Sequence, residues 1–353
     1  MRYPAIEIDL KKLQDNAKRL MSFCEEKGIE PVAITKVFCG DIRAVNSLLK
    51  GGVKIIGDSR LENFINYKEL PCEKLLVRIP MLSEIKEVVE YCDISLNSET
   101  ATLEALSEAA LARGIKHRVI LMVELGDLRE GFLPEDIPMA VEKVNDLQGL
   151  ILEGIGANLT CYGGVLPDEA NLSILTKLKS LLQDNIGVKV NMVSGGNSSS
   201  LHLIFKDKMP GGINSIRLGE ALILARETAY GKKVDGLHDD AFILKGEIIE
   251  IKEKNSVPSG TVGRDAFGRV PKFEDKGIIK RAIIALGRQD VHPEDLVPIE
   301  EGLEILGASS DHMLLELTSK AGDYKIGDIV SFSLNYVALL NVMNSPYVHK
   351  EYR

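Results

Sequence analysis

Eight times in its first 217 residues the chain passes from a short apolar run into a stretch of helical periodicity, and this rhythm restricts the fold more than any single motif. The predicted strands are residues 30–35, 54–57, 74–78, 94–96, 118–124, 150–157, 189–193 and 214–217, with amphipathic segments such as 98–113 and 168–185 between them. Repeated βα units force a parallel sheet, and eight of them close a (β/α)8, TIM-type barrel. The reading is therefore an α/β chain with a barrel over residues 10–228. Ahead of it, residues 5–9 alternate as a strand. Leu10, Leu13, Ala17, Leu20 and Cys24 then share one helical stripe that Gly28 closes. Beyond Thr228 the texture changes. Residues 241–251, 277–286, 313–318 and 328–334 read as strands between Gly, Pro and Asp turns, which predicts a C-terminal all-β domain over 229–353 that the N-terminal strand, 1–9, joins.

Charge and cysteine usage narrow the function. A net charge of −9 argues against nucleic acid or an anionic membrane surface as the main partner, while small anions can still be bound locally. Cys24, Cys39, Cys72, Cys92 and Cys161 are dispersed with no Cys-x-x-Cys pair, which fits a reduced cytoplasm and offers no metal signature. No apolar run reaches the roughly 18 residues a membrane span needs. The expectation is a soluble cytoplasmic protein that handles a small molecule.

Within the barrel reading, Lys36 falls at the C-terminal end of the first strand, on the face where such barrels keep their chemistry. A strand-end lysine can simply extend its charge to water. Here, however, the other strand ends bring Asp58, Arg60, Arg78, Asn97, Arg129, Asn158, residues 194–200 and Arg217 to the same face. Ser194-Gly195-Gly196-Asn197-Ser198-Ser199-Ser200 follows the seventh strand and Arg217-Leu218-Gly219-Glu220 the eighth, the two loops with which barrel enzymes often hold a phosphate. The cradle candidates are Ser194, Gly196, Asn197, Ser198, Gly219 and Glu220. A phosphate site facing a lysine points to pyridoxal phosphate, which is anchored through a phosphate and an imine. Aldolases combine a barrel lysine with a phosphate site too, so other phosphate ligands stay open.

These segments, together with Ala33-Ile34-Thr35-Lys36-Val37-Phe38-Cys39-Gly40 and Gly57-Asp58-Ser59-Arg60-Leu61-Glu62-Asn63, resemble the alanine racemase-like, fold-type III pyridoxal phosphate enzymes, and within them the amino-acid racemases that act on ornithine and related substrates. The resemblance spans nearly the whole chain. It implies that Lys36 is the Schiff-base lysine and the base on one face of the substrate α-carbon. It implies that Ser198, Gly219 and Tyr336 bind the phosphate, that Asn158 lies beside the ring, that Arg217 faces the pyridine nitrogen, and that Arg129 meets the substrate carboxylate. An arginine there keeps the nitrogen unprotonated, because it does not give up its own proton at neutral pH. It also implies a homodimer with shared active sites.

Three departures from the family pattern bear on substrate and mechanism. The segment Leu286-Gly287-Arg288-Gln289-Asp290-Val291-His292 lacks the tyrosine that serves alanine racemases as second base, and Arg288 is too strong a cation to act as one. Asp290, His292 and the turn Ser309-Ser310-Asp311-His312 are alternatives; His312 is preferred for its near-neutral pKa, with Asp311 beside it. Met122 replaces a lysine that supports the carboxylate-binding arginine, so Arg129 needs another partner, for which Glu124 is a candidate. Gly40 replaces a tyrosine. Glu220, Asp290 and Asp311 can pair with a distal ammonium, and Arg129, Arg288 and Asp290 are assigned to the substrate. The predicted activity is two-base racemisation of ornithine or another basic amino acid. The alternatives are an alanine or broad-specificity racemase, a D-hydroxyamino-acid aldolase or dehydratase of the same fold type, and a non-catalytic pyridoxal phosphate carrier.

Overall fold

The computed structural model describes residues 2–353, which form two compact units: Leu10–Asp239, and residues 2–9 with Asp240–Arg353. A short strand, β1 (Ala5–Ile8), leads into the helix Leu10–Glu26. Six residues of that helix are buried, and Gly28, at φ 70°, ends it while the Ile29 N–H turns back to the Cys24 carbonyl. The barrel strands follow: β2 (Glu30–Ile34), β3 (Ile55–Asp58), β4 (Glu73–Leu76), β5 (Ile94–Asn97), β6 (His117–Met122), β7 (Leu150–Ala157), β8 (Met192–Asn197) and β9 (Ser215–Leu218). Each pairs in parallel with the next, and β9 pairs with β2 to close the cylinder, as the eightfold rhythm predicts.

Alternation along the strands decides what fills it. Val32 and Ile34, Ile55, Leu75, Ile94 and Leu96, Ile120 and Met122, and Met192 pack together inside. Each such side chain contributes roughly 1.5–3 kcal/mol by leaving water. Neighbouring positions face the helices instead. Among them Ser95, Asn97 and His117 form a buried polar chain: Ser95 Oγ lies 2.9 Å from His117 Nε2, and Asn97 Nδ2 donates to Ser95 Oγ at 3.0 Å.

One strand differs from the sequence expectation in a way that matters for the site. The seventh barrel strand runs Met192–Asn197 rather than 189–193, so Ser194, Gly195, Gly196 and Asn197 are strand residues rather than a loop. Gly195 allows this, because a Cβ there would meet Ile213 Cγ2 at 2.7 Å. The ladder to β9 pairs Ser194 with Ser215 and Asn197 with Arg217, with a register shift between them.

The second unit is a sheet in the order β12-β15-β10-β11-β14-β13, where β10 is Phe242–Asn255, β11 Ile278–Ile284, β12 Leu296–Pro298, β13 Leu303–Ala308, β14 Met313–Leu317 and β15 Ile329–Leu334. β1 joins it by pairing with β10 and with β16 (His349–Tyr352). The strand pattern did not anticipate the helix Tyr336–Asn344. Asn335 starts that helix by accepting the Ala338 N–H, and Ala338, Leu339, Val342 and Met343 are buried along it. Among the described residues, no helix is long and apolar enough to cross a membrane.

Burial pushes the His117 pKa down from 6.5 to about 4, against the pull of Asp93. An unfolded histidine takes up a proton in that window and the folded one does not, so stability is lost as pH falls from about 6.5 to about 4. We expect a loss on the order of 3 kcal/mol from this group. Urea unfolding across that range should show a shallower pH slope for His117→Gln than for the wild type.

Candidate functional site

The alternation that points Val32 and Ile34 inward gives the next inward position, at the mouth of the barrel, to Lys36. Lys36 is exposed and opens a short 3-10 turn, Lys36–Phe38, that ends in Cys39 and Gly40, both at positive φ. Thr35, one residue earlier, faces the other way and is buried. Gly40 stands where a tyrosine was expected from the family pattern, and packing gives the reason. A Cβ at Gly40 would lie 2.7 Å from Asn63 Cβ and 2.9 Å from Tyr67 Cε1, so those two residues already fill the space.

Beside Lys36 in the closed barrel, β9 carries Arg217, which is 4% exposed. Glycine makes room for it, since a Cβ at Gly156 would sit 3.0 Å from Ser194 Cβ and 3.7 Å from Arg217 Nη1. The guanidinium donates from Nη1 to Ser194 Oγ at 2.6 Å, and from Nη2 to the Ala157 carbonyl at 2.7 Å and to Asn158 Oδ1 at 3.4 Å. Burial lowers its pKa to about 10, with Glu130 opposing and Arg129 reinforcing the shift, so it remains a cation at neutral pH.

Asn158 links this arginine to the end of β8. Its Oδ1 accepts from Asn197 Nδ2 at 3.1 Å, and its own Nδ2 is buried without a partner. Asn197 Oδ1 in turn accepts the Ser199 N–H at 2.8 Å. Ser198 Oγ accepts the Gly219 and Ala221 N–H groups at 3.2 and 3.3 Å, so the ends of β8 and β9 meet at one hydroxyl. The neighbouring Ser199 Oγ is buried and unpartnered. Gly196, at φ 100°, approaches Ser200 too closely for a side chain: a Cβ would be 2.8 Å from Ser200 Oγ. Glu220 is partly buried, and burial raises its pKa while Arg226 opposes the rise. Two backbone amides and the Ser198 hydroxyl thus meet where β8 and β9 end, a donor-rich setting suited to an anionic group.

Arg129 sits in the loop after β6, where both Nε and Nη2 donate to the Glu130 carboxylate. Glu124, the expected partner, is instead occupied by the backbone N–H groups of Gly126, Leu128 and Arg129. Buried Asp127 accepts the N–H groups of Cys161, Tyr162 and Val165, tying this loop to the one after β7. No signal in the sequence pointed to Asp127, Glu130 or Ala221, whereas Ser199 belongs to the serine-rich run 194–200.

The remaining predicted residues belong to the sheet unit. Arg288 is engaged by Glu294 at 3.1 Å and the Ala308 carbonyl at 3.2 Å, with its Cζ 5.4 Å from the centre of the Phe267 ring. Asp290 accepts from Ser345 Oγ at 2.6 Å. Asp311 and His312 are exposed in the turn between β13 and β14, and Tyr336 opens the helix after β15.

Comparison with known proteins places this arrangement. Residues 8–227 match the family model for the alanine racemase N-terminal domain. Over 350 residues the chain is 46% identical to an ornithine racemase of Acetoanaerobium sticklandii, covering 99% of each protein. It is 40% identical over 356 residues to a lysine racemase of Thermotoga maritima, covering 100% of this chain and 99% of that one. A solved alanine racemase from Streptomyces coelicolor shares the fold at a TM-score of 0.76 and 17% identity, covering 99% of this chain and 97% of that one.

Removing the Ser194 hydroxyl should leave Arg217 Nη1 without its short acceptor. Ser194→Ala is expected to destabilise the apoprotein by about 1–3 kcal/mol in urea unfolding, while Ser199→Ala, which removes an unpartnered buried hydroxyl, should leave it as stable or more so.

Proposed function

The chain belongs to the alanine racemase family and is an amino-acid racemase, and on that premise we propose that it interconverts L- and D-ornithine with pyridoxal phosphate as cofactor. The observation that carries the substrate is the 46% identity, over 99% of both chains, to an ornithine racemase. The lysine racemase relative supports a basic amino acid more generally.

The residues at the barrel mouth fit the cofactor. A phosphate would be met by the Ser198 hydroxyl and by the amides of Gly219 and Ala221 that now converge on it. Asn158, whose Oδ1 accepts from Arg217 Nη2, would lie beside the ring. In this reading Ser194, Gly196, Asn197, Ser198, Gly219 and Glu220 shape the phosphate corner, with Tyr336 as a further phosphate ligand. When bound, pyridoxal phosphate withdraws electrons from the substrate α-carbon and makes its C–H acidic.

The chain's own groups then divide the work. Lys36 holds the cofactor and moves the proton on one face of the α-carbon. Arg217, cationic and fixed by Ser194 and the Ala157 carbonyl, would face the ring nitrogen and, keeping its own proton, would leave that nitrogen unprotonated. Arg129, held by Glu130, receives the substrate carboxylate. His312, with Asp311 beside it, moves the proton on the opposite face in a homodimer whose sites are shared between protomers. Asp290 and Arg288 contribute to substrate binding. The protein works in the cytoplasm.

The test is proton exchange: protein loaded with pyridoxal phosphate, L-ornithine in deuterated water, and chiral chromatography, with alanine, lysine and serine alongside. Deuterated D-ornithine should form faster than any other D-amino acid. Ornithine that keeps both its configuration and its α-proton would overturn the reading. Lys36→Ala is expected to lower turnover by about 10²–10⁴-fold.

A further inference from the structure

The main chain that carries Lys36 is held from behind by a buried polar cluster, and Asp58, expected at the barrel mouth, belongs to this cluster instead. One residue past β2 and pointing outward, Thr35 Oγ1 donates to Asp58 Oδ2 at 2.6 Å and lies 3.3 Å from the Tyr67 hydroxyl. Asp58 is fully buried at the end of β3. Its other oxygen accepts the Ser59 N–H at 2.7 Å, the Arg60 N–H at 3.0 Å and Asn63 Nδ2 at 2.9 Å. All four donors are neutral groups. Burial pushes the Asp58 pKa up, and these hydrogen bonds push it back down.

Both ends of the lysine turn rest on this cluster. The Thr35 carbonyl accepts the Phe38 and Gly40 N–H groups at 3.2 and 3.3 Å, closing the turn that Lys36 opens. At its far end Gly40 packs against Asn63 and Tyr67, two members of the same cluster. The neighbouring outward positions on these strands, Ala33 and Ile56, are apolar and buried, which is the economical way to fill the layer between strands and helices. A carboxylate is used instead at the strand end adjoining the reactive amine. Pinning the peptide on either side of a long side chain sets the direction in which that side chain leaves the strand, and small errors in such placement lower rates by about 10²-fold.

We propose that Asp58 is a positioning residue for Lys36, acting through its hydrogen bond to Thr35 Oγ1. The proposal rests on the reading of Lys36 as the amine that holds the cofactor.

Thr35→Val keeps the shape and removes the donor, whereas Thr35→Ser keeps the donor. Both are compared with wild type in thermal stability, in kcat and KM for ornithine, and in the rate at which the apoprotein takes up pyridoxal phosphate onto Lys36, followed by visible absorbance. Thr35→Val should lower kcat and the uptake rate by about 10–100-fold with KM held within about twofold, and Thr35→Ser should stay within about twofold on every count. Equal kinetics for the two folded variants would overturn the proposal. Should Thr35→Val not fold, Thr35→Ala, which removes the hydroxyl without adding volume, takes its place, and an unchanged kcat and uptake rate there would overturn it equally. The uptake rate keeps the two readings apart. A wild type that loads Lys36 yet racemises no amino acid removes the proposed reaction, and the variants still decide the role of Asp58.

Discussion

Closure of the barrel by β2 against β9 is the constraint on which the site depends. The register pairs Val32 with Arg217 and Ala33 with Leu218, so the end of the first barrel strand and the end of the last lie side by side. Lys36 and the Gly219 turn, 183 positions apart in the chain, become neighbours for that reason alone. Parallel strands with helical returns can place their C-terminal ends together only when the cylinder is complete.

Given closure, the site is shaped by the problem of burying a guanidinium. Arg217 is almost wholly removed from water, and an unpaired buried cation is costly. The chain answers with Ser194, the Ala157 carbonyl and Asn158 as acceptors, and with glycine at position 156 to leave room for the group. The Glu130 carboxylate lies within electrostatic reach and offsets part of the penalty. The same acceptors tie β7, β8 and β9 together at the barrel mouth, so the arrangement that keeps the charge also orders the loops around it. The cluster of Asp58, Thr35, Asn63 and Tyr67 does the corresponding work behind Lys36, between sheet and helices.

Racemisation asks for two proton-handling groups on opposite faces of one carbon, and a rigid cylinder lends itself to presenting one of them. The departures from alanine racemases fall around that requirement. Gly40 gives up a side chain whose volume is taken by Tyr67 and Asn63. Arg288, standing where a tyrosine was expected, is tied to Glu294 and the Ala308 carbonyl. Arg129 draws its support from Glu130 next to it in sequence.

What the sequence determined by itself was everything carried by local periodicity and by residues whose chemistry is rare at their position. The eight βα units, Lys36 at a strand end, the glycine- and serine-rich run and Arg217 were all legible, because alternation and helical spacing depend only on near neighbours. Tertiary structure alone decided which groups meet. Asp127 gains its partners from residues 161–165, and Asp58 gains Thr35 from another strand, distances along the chain that no local pattern encodes. The pairing of Arg129 with Glu130 rather than Glu124 also escaped the sequence, since backbone amides claim Glu124 once the loop has closed. The extension of β8 through two glycines and the helix Tyr336–Asn344 were hidden for a related reason. Gly195 and Gly196 read as a loop until Ile213 and Ser200 approach them, and an apolar nine-residue run becomes a helix when a cap and a surface to bury against are both supplied by the fold.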